Sequence, residues 1–433
     1  MNYGGVFLDS LRIRMRFAII LLCGVIIGGR WITQIWLGPT PLFDLILQFL
    51  IGASSIYLII RGNRLHGFVG IFRLIPYLSI FIFIVTVLRI ILSFISGYYP
   101  AEAIFRDSSV FLSLSSVYFL SNYFYQFSQN SIESRLTRLI FLASAFALFL
   151  AFFSKFGSNF EGWNLQLPLF RFEANVLSVR SDQLVTSLSC FLISCSYKIA
   201  TEQSKRNFWR FLYLASGAFV IIELSSRVVF LSFLIIYFLG LILKRRVLVD
   251  RDQKLVTFPI AIFGALILIS SFSERIPGLK RLIAGFSSNS IDSNSDALQL
   301  SASGTQNARI QAWKLIWAYW SNHGFYNGVD FGDHFILNSG AFRYLSGATD
   351  VRWPHNFLIS IFVRNGILIG PLIILLIALL LIITIENLRH ESTTLLDWQL
   401  FSISLTILVV SSVGVVFESP LVTFLLSSPI QSL

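Results

Sequence analysis

The chain has 433 residues, 55% of them hydrophobic and only 13% charged. A soluble domain carries about 25% charged residues, so an ordinary water-soluble fold is excluded. Repeated apolar runs near the ~20 residues that span a bilayer point instead to an all-α, polytopic transmembrane protein. A membrane β-barrel fits poorly, since its strands alternate apolar and polar residues. The net charge of +11 is not a nucleic-acid footprint: most Lys and Arg lie in short segments between apolar runs, where they set orientation.

In chain order, residues 1–16 form a basic head with Arg12, Arg14 and Arg16. The apolar run behind it continues to about Leu37 without a small-residue cleavage site, which predicts an uncleaved first span. Further spans are expected near 42–60, 74–97, 107–126, 137–153, 182–199, 208–223, 227–243 and 255–273, and then near 366–385 and 398–417. The count is therefore 11–12, with Glu418–Leu433, which holds Pro420 and Pro429, as a partial or re-entrant twelfth. This divides the chain into spans over 1–273, one large loop over 274–354, and C-terminal spans over 355–433. With the N-terminus cytoplasmic, the inner segments hold 18 Lys and Arg against 5 in the short outer ones, the expected inward bias. The large loop then lies on the outer, periplasmic face. Cys23, Cys190 and Cys195 all fall inside apolar runs, so they imply small core residues and no disulfide framework.

Within the loop, 287–305 is rich in Ser, Asn and Asp and reads as a flexible segment. Gln306–Ser321 reads as a helix, with Ile310, Trp313, Trp317 and Trp320 at three- and four-residue spacing. Such a stripe suits either a helix at the membrane–water interface or a helix packed on the ends of the spans. There is no Walker A pattern and no dinucleotide fingerprint, so nothing points to ATP or NAD chemistry.

Arginine in an apolar span is costly and marks a functional hypothesis. Arg30, Arg89, Arg227 and Arg309 all come to the outer face in this topology, where guanidinium groups can clamp a diphosphate in bidentate geometry. The structural alternative for Arg30 and Arg89 is snorkelling or an ion pair. Arg227 stands in a tight turn beside Ser225 and Ser226, with Glu223 as its partner or as a catalytic group. His355 follows Pro354 and precedes Asn356 at a helix start. It can act near neutral pH as a base or face phosphate as a cation, or it can simply cap and pack. The run from Asp330 to His334 (DFGDH) has metal-ligand residue types, but loop carboxylates beside one histidine are usually solvated, and no metal site is expected there.

Three pieces, in order, resemble the O-antigen polymerase/ligase family of bacterial membrane glycosyltransferases. Ser226-Arg227 opens an apolar run. Ala308-Arg309 precedes Trp313. Pro354-His355-Asn356-Phe357-Leu358 leads into a span, with Gly366 following, while Gly324 and Gly328 stand at the family's glycine-rich turn. The resemblance covers roughly residues 215–385. Two features depart from the pattern: Arg364 stands where the family often has glutamate, and the turn before the His-Asn signature is less regular than the family's Pro-x-Gly type.

The resemblance implies transfer, at the periplasmic face of the bacterial inner membrane, of an undecaprenyl-diphosphate-linked glycan to a sugar hydroxyl, without ATP, metal or cofactor. Arg227, Arg309 and His355 would be the catalytic set. Arg30, Arg89, Glu223, Trp313 and Asn356 would contact the diphosphate or glycan. The acceptor would be another lipid-linked repeat for a polymerase of O-antigen, capsule or exopolysaccharide, the reading taken first, or the lipid A core of lipopolysaccharide for a ligase. Membrane lipid and a chain-length regulator or flippase are the implied partners, and nucleic acid is not. Two other classes compete: a transporter of a small solute or anion, which should show broken spans in two related halves, and a non-catalytic scaffold.

Overall fold

The computed structural model describes residues 70–115, most of 137–149, 181–223 apart from 203, 235–240, 242, 306–345, 354, 356–389 and 394–411. The expected spans before residue 70, that near 255–273 and the C-terminal tail lie outside the described residues. The described residues are mostly helix, joined by turns and irregular segments, with no strand among them. The longer helices are α1 (Leu74–Ser96, entered through a 3-10 turn at Gly70–Arg73), α2 (Ala101–Ser115), α3 (Ser181–Thr201) and α4 (Arg206–Glu223). They continue with α5 (Gln306–His323), two single-turn helices α6 (Phe335–Asn338) and α7 (Phe342–Leu345), α8 (Phe357–Asn387) and α9 (Leu395–Ser411).

Among the described residues, two stretches are long and apolar enough to cross a bilayer, Gly70–Ser96 with 27 residues and Phe357–Asn387 with 31. α1 buries Ile75, Ser79, Ile82, Thr86, Ile90 and Ser93 along one stripe. Its other face, with Phe81, Ile84, Leu88, Leu92 and Ile95, is apolar too, the reverse of the polar outer face that a helix presents to water.

The helices pack as a chain of neighbours. α2 folds back on α1, α8 packs on α1 and α9, α9 on α3, and α3 on α4. One core cluster runs through all of these, from Ile75 and Leu114 through Leu188 and Leu192 to Leu376 and Ile403. The α3–α9 contact is also fastened by polar groups: Gln399 Nε2 donates to Ser194 Oγ at 2.8 Å, and Ser194 Oγ donates to the Cys190 carbonyl at 2.5 Å. Buried hydroxyl and amide groups of this kind hold helices together where apolar surface alone gives no preference. Cys190 and Cys195 are free thiols in this core, as their apolar settings predict.

The loop segment from Gln306 to Leu345 is a folded cap with its own small core, made of Ala312, Ile316, Trp320, Val329, Phe335, Ile336 and Ala341 and closed by Val363 of α8. Two expectations are refined here. The inward stripe of α5 is Ala308, Ala312, Ile316 and Trp320, all fully buried, while Trp317 and Ile310 are exposed. α5 is therefore the packed helix of the two alternatives, its small residues letting it approach its neighbours closely; of the indole stripe Trp320 is buried and Trp313 half-buried against the cap core, whereas Ile310 and Trp317 are exposed. The span expected from 366 is continuous with the helix start expected at Pro354–Asn356: α8 begins at Phe357, where Asn356 caps it, its Oδ1 accepting the Leu358 and Ile359 N–H groups at 3.0 and 3.2 Å. Gly366 is a break inside α8 and not its start.

Candidate functional site

The site residues gather where the cap meets the ends of α1, α2 and α8. At Gly366 the backbone leaves the helical region (φ 66°, ψ −175°), which splits α8 into a short first half and a long second half. A helix end leaves carbonyls without intrahelical partners, and buried carbonyls must find donors elsewhere. The turn 324–329 supplies and takes these bonds. Val329 N–H donates to Val363 O at 2.8 Å, while the Ile367 and Leu368 N–H groups donate to Phe325 O and Tyr326 O at 2.9 and 3.2 Å. Two glycines permit the crossing. A Cβ at Gly366 would lie 2.0 Å from Tyr326 O, and one at Gly328 (φ 79°) would lie 2.2 Å from Arg364 O, so the two backbones touch where any side chain would part them.

Two arginines lock this junction. Arg89, near the end of α1, donates through Nη1 to Arg364 O and at 3.4 Å to Asn365 Oδ1, and through Nη2 to Val329 O at 2.8 Å. Its guanidinium lies over the Phe331 ring, 4.6 Å from the centroid. A cation at the carbonyl end of a half-helix also meets the favourable pole of the helix dipole. Arg364 donates through Nη1 to Asp330 O at 2.6 Å, and through Nη2 to Asp107 Oδ2 at 2.6 Å and Asp333 O at 2.8 Å. Asp107 Oδ2 also accepts the Gly332 N–H at 3.1 Å. Both charges are out of contact with solvent, with 1% exposure for the Arg364 side chain and 0% for Asp107. Removing either partner would leave a bare charge in a low-dielectric setting.

Asp333 is buried as well. Its Oδ2 accepts the Tyr319 hydroxyl at 3.0 Å and its Oδ1 the Asn338 amide at 2.7 Å. Burial raises the Tyr319 phenol from its ordinary value to about 12, with the Asp333 charge adding to the effect. His323 stacks on the Tyr319 ring at 4.3 Å, and His334 Nδ1 accepts the Leu337 N–H at 3.3 Å as the cap of α6. The Asp333 and His334 groups of the DFGDH run are thus spent on local structure. Among the described residues, no group of three or more His, Cys, Asp or Glu is arranged to hold a metal ion.

A second corner lies at the start of α8. Trp313 Nε1 donates to Pro354 O at 2.7 Å, and Arg309 is half-buried one turn earlier on α5. Trp313 is thus brought to the Pro354–Asn356 corner, where the Asn356 side-chain oxygen caps α8. Arg89 is brought to the neighbouring junction instead. Arg30, Arg227, the Glu223 side chain and His355 itself lie outside the described residues.

Sequence reasoning missed the Arg364–Asp107 pair. The available signal was one charge near the same end of each of two apolar runs, of opposite sign. No family model matches the chain, and no curated protein matches it.

Proposed function

We propose that the chain is a multi-span inner-membrane glycosyltransferase of the O-antigen polymerase/ligase type. In this reading the N-terminus is cytoplasmic, about eleven helices cross the bilayer, and the cap is periplasmic. A sugar hydroxyl of the acceptor attacks the anomeric carbon of an undecaprenyl-diphosphate-linked glycan. The C–O bond to the diphosphate breaks with its electron pair on the leaving oxygen, and the hydroxyl proton passes to the His355 imidazole. Arg309 and Arg227 face the diphosphate and stabilise the charge it gains. The departing diphosphate supplies the driving force, so neither ATP nor a metal enters the scheme.

The observation that carries the reading is the 2.7 Å hydrogen bond from Trp313 to Pro354 O. It ties the Arg309–Trp313 turn of the cap to the Pro354–Asn356 corner, two motifs separate in sequence that this chemistry needs side by side. Replacing Arg227, Arg309 or His355 by Ala tests it. Loss of a preorganised charge-stabilising group lowers turnover about 10²–10³-fold, so each variant should lose long-chain surface glycan while the protein stays in the membrane. Wild-type glycan length in all three would overturn the assignment. In a strain lacking the gene, single repeats on the lipid A core identify a polymerase. Long chains left on undecaprenyl diphosphate identify a ligase.

One observation speaks for the transporter: α8 is broken, as helices at transport sites often are. Two of its freed carbonyls, Val363 O and Arg364 O, are however taken by the Val329 N–H and by Arg89 and so are not open to a passing ion. Solute uptake by proteoliposomes without any glycan present would favour that reading instead.

A further inference from the structure

The turn 329–333 is fixed at nearly every backbone position. Val329 gives its N–H to Val363 and its carbonyl to Arg89. The Asp330 carbonyl takes both Arg364 Nη1 and the Asp333 N–H. Phe331 is buried beneath the Arg89 guanidinium, and the Gly332 N–H is held by Asp107. On this rigid frame the Asp330 side chain faces outward. Of the three carboxylates here, Asp107 and Asp333 are buried and hydrogen-bonded, whereas nothing among the described residues hydrogen-bonds the carboxylate of Asp330. Tyr99 lies against Gly332, close enough to Asp330 to feel its charge. The Tyr98 ring beside it is 83% exposed.

A charge that only solvates a surface does not need so rigid a mount. A carboxylate preorganised by its backbone loses little freedom when it binds. It accepts only, from two or more donors, and hydroxyl groups suit it. An exposed tyrosine ring supplies the flat apolar face that stacks on a sugar ring. A second carboxylate would repel a diphosphate. Val363, which anchors the turn, lies about 10 Å along α8 from Asn356 at 1.5 Å per residue. The turn is therefore set off from the Trp313–Pro354 corner by a length that a glycan chain covers.

We propose that the Asp330 carboxylate, presented beside Tyr98 and Tyr99 on the locked 329–333 turn, receives hydroxyl groups of the glycan, which makes this turn a sugar subsite distinct from the diphosphate corner. The inference rests on the transferase reading for its ligand. The donor and acceptor glycans share the chemistry the subsite recognises.

The test uses the full chain in lipid nanodiscs, as wild type and Asp330→Asn, a change that removes the charge and keeps the size. The probes are the lipid-linked repeat extracted from a strain lacking the gene and the free oligosaccharide released from it. Loss of one charge-assisted hydrogen bond should weaken binding of the free oligosaccharide about tenfold or more. In the transfer assay the KM for one substrate should rise by a similar factor, with a smaller fall in kcat and an unchanged thermal midpoint. A rise for the donor assigns the subsite to the donor glycan, and a rise for the acceptor assigns it to the acceptor. Equal affinity in the two proteins, or no binding by wild type, overturns the subsite. Oligosaccharide binding that depends on Asp330 in a wild-type protein with no transfer activity keeps the subsite and overturns the transferase.

Discussion

Replacing Arg364 by Met removes the pin that holds the cap to the helices. The variant keeps most of the side-chain volume and loses three hydrogen bonds, to Asp107 Oδ2, Asp330 O and Asp333 O. Asp107, at 0% exposure, loses its guanidinium partner and keeps the Gly332 N–H. Breaking a buried ion pair from one side costs about 3–5 kcal/mol. The Asp333 carbonyl, stripped of the Arg364 donor, adds about 1–3 kcal/mol, less than additively because the groups share one turn, while the Asp330 carbonyl keeps the Asp333 N–H. Taking the ion-pair figure alone, local opening of the turn becomes easier by roughly 2.2 to 3.7 decades at 1.36 kcal/mol per decade. Amide hydrogen exchange on the peptide that spans 324–334 reads this directly, since the Val329 and Gly332 N–H groups are tied to this junction. The double variant Arg364→Met, Asp107→Leu removes both charges and should recover part of the protection, because an apolar pair of similar volume can replace a buried ion pair at little cost. An exchange rate within about fivefold of wild type in the single variant would refute the reasoning. So would a double variant that exchanges faster than the single.

Gly366→Ala should undock the turn, because its Cβ would sit 2.0 Å from Tyr326 O at a residue with φ 66°. The expected result is lost protection at Ile367 and Leu368 with the long second half of α8 still protected, and an unchanged pattern would contradict the backbone crossing. The Tyr319 phenol is raised from 10 to about 12, so the folded cap favours the neutral form. That contribution is full below pH 10 and is lost as the pH rises through about 12. Tyrosinate absorbance should show phenols that ionise late as the cap loosens over that interval, and Tyr319→Phe should reduce that late component by one phenol, the other buried tyrosines remaining in it; a late component of undiminished size would contradict the assignment.

What the sequence displayed well were the features written in local patterns. Apolar length alone placed a helix at 74–97, and α1 covers Leu74–Ser96; 208–223 was expected, and α4 covers Arg206–Glu223. The helix from Gln306 was legible from its spacing, but its buried face was not. The three large indoles outweighed Ala308 and Ala312 in the reading, and in the fold it is the small residues that allow close packing. The helix start at Pro354–Asn356 was legible, but the span was counted only from 366, and the break at Gly366 inside one apolar run was not. A break of that kind is set by the turn 324–329 docking there, a segment remote in sequence. Remoteness also hid the pin, since Asp107 and Arg364 are separated by 257 positions and no window on the chain contains both.

The arginines show the same division at the level of function. In an apolar chain any arginine invites a catalytic reading, since its cost asks for a reason. Arg364 and Arg89 have one inside the fold. A half-helix that ends within the protein exposes carbonyls that water cannot reach, and a guanidinium, with five donors in a rigid fork, satisfies several at once. Arg89 spends both terminal nitrogens on Arg364, Asn365 and Val329, so a diphosphate would have to displace three protein oxygens to reach them. The clamp of the proposed transferase therefore falls to Arg227 and Arg309 with His355, while Arg89 and Arg364 hold the cap in register. This separation predicts different failures. Loss of a clamp arginine should leave a cap that exchanges as slowly as wild type but transfers nothing, whereas loss of a junction arginine should loosen the cap first and lower transfer only as a consequence.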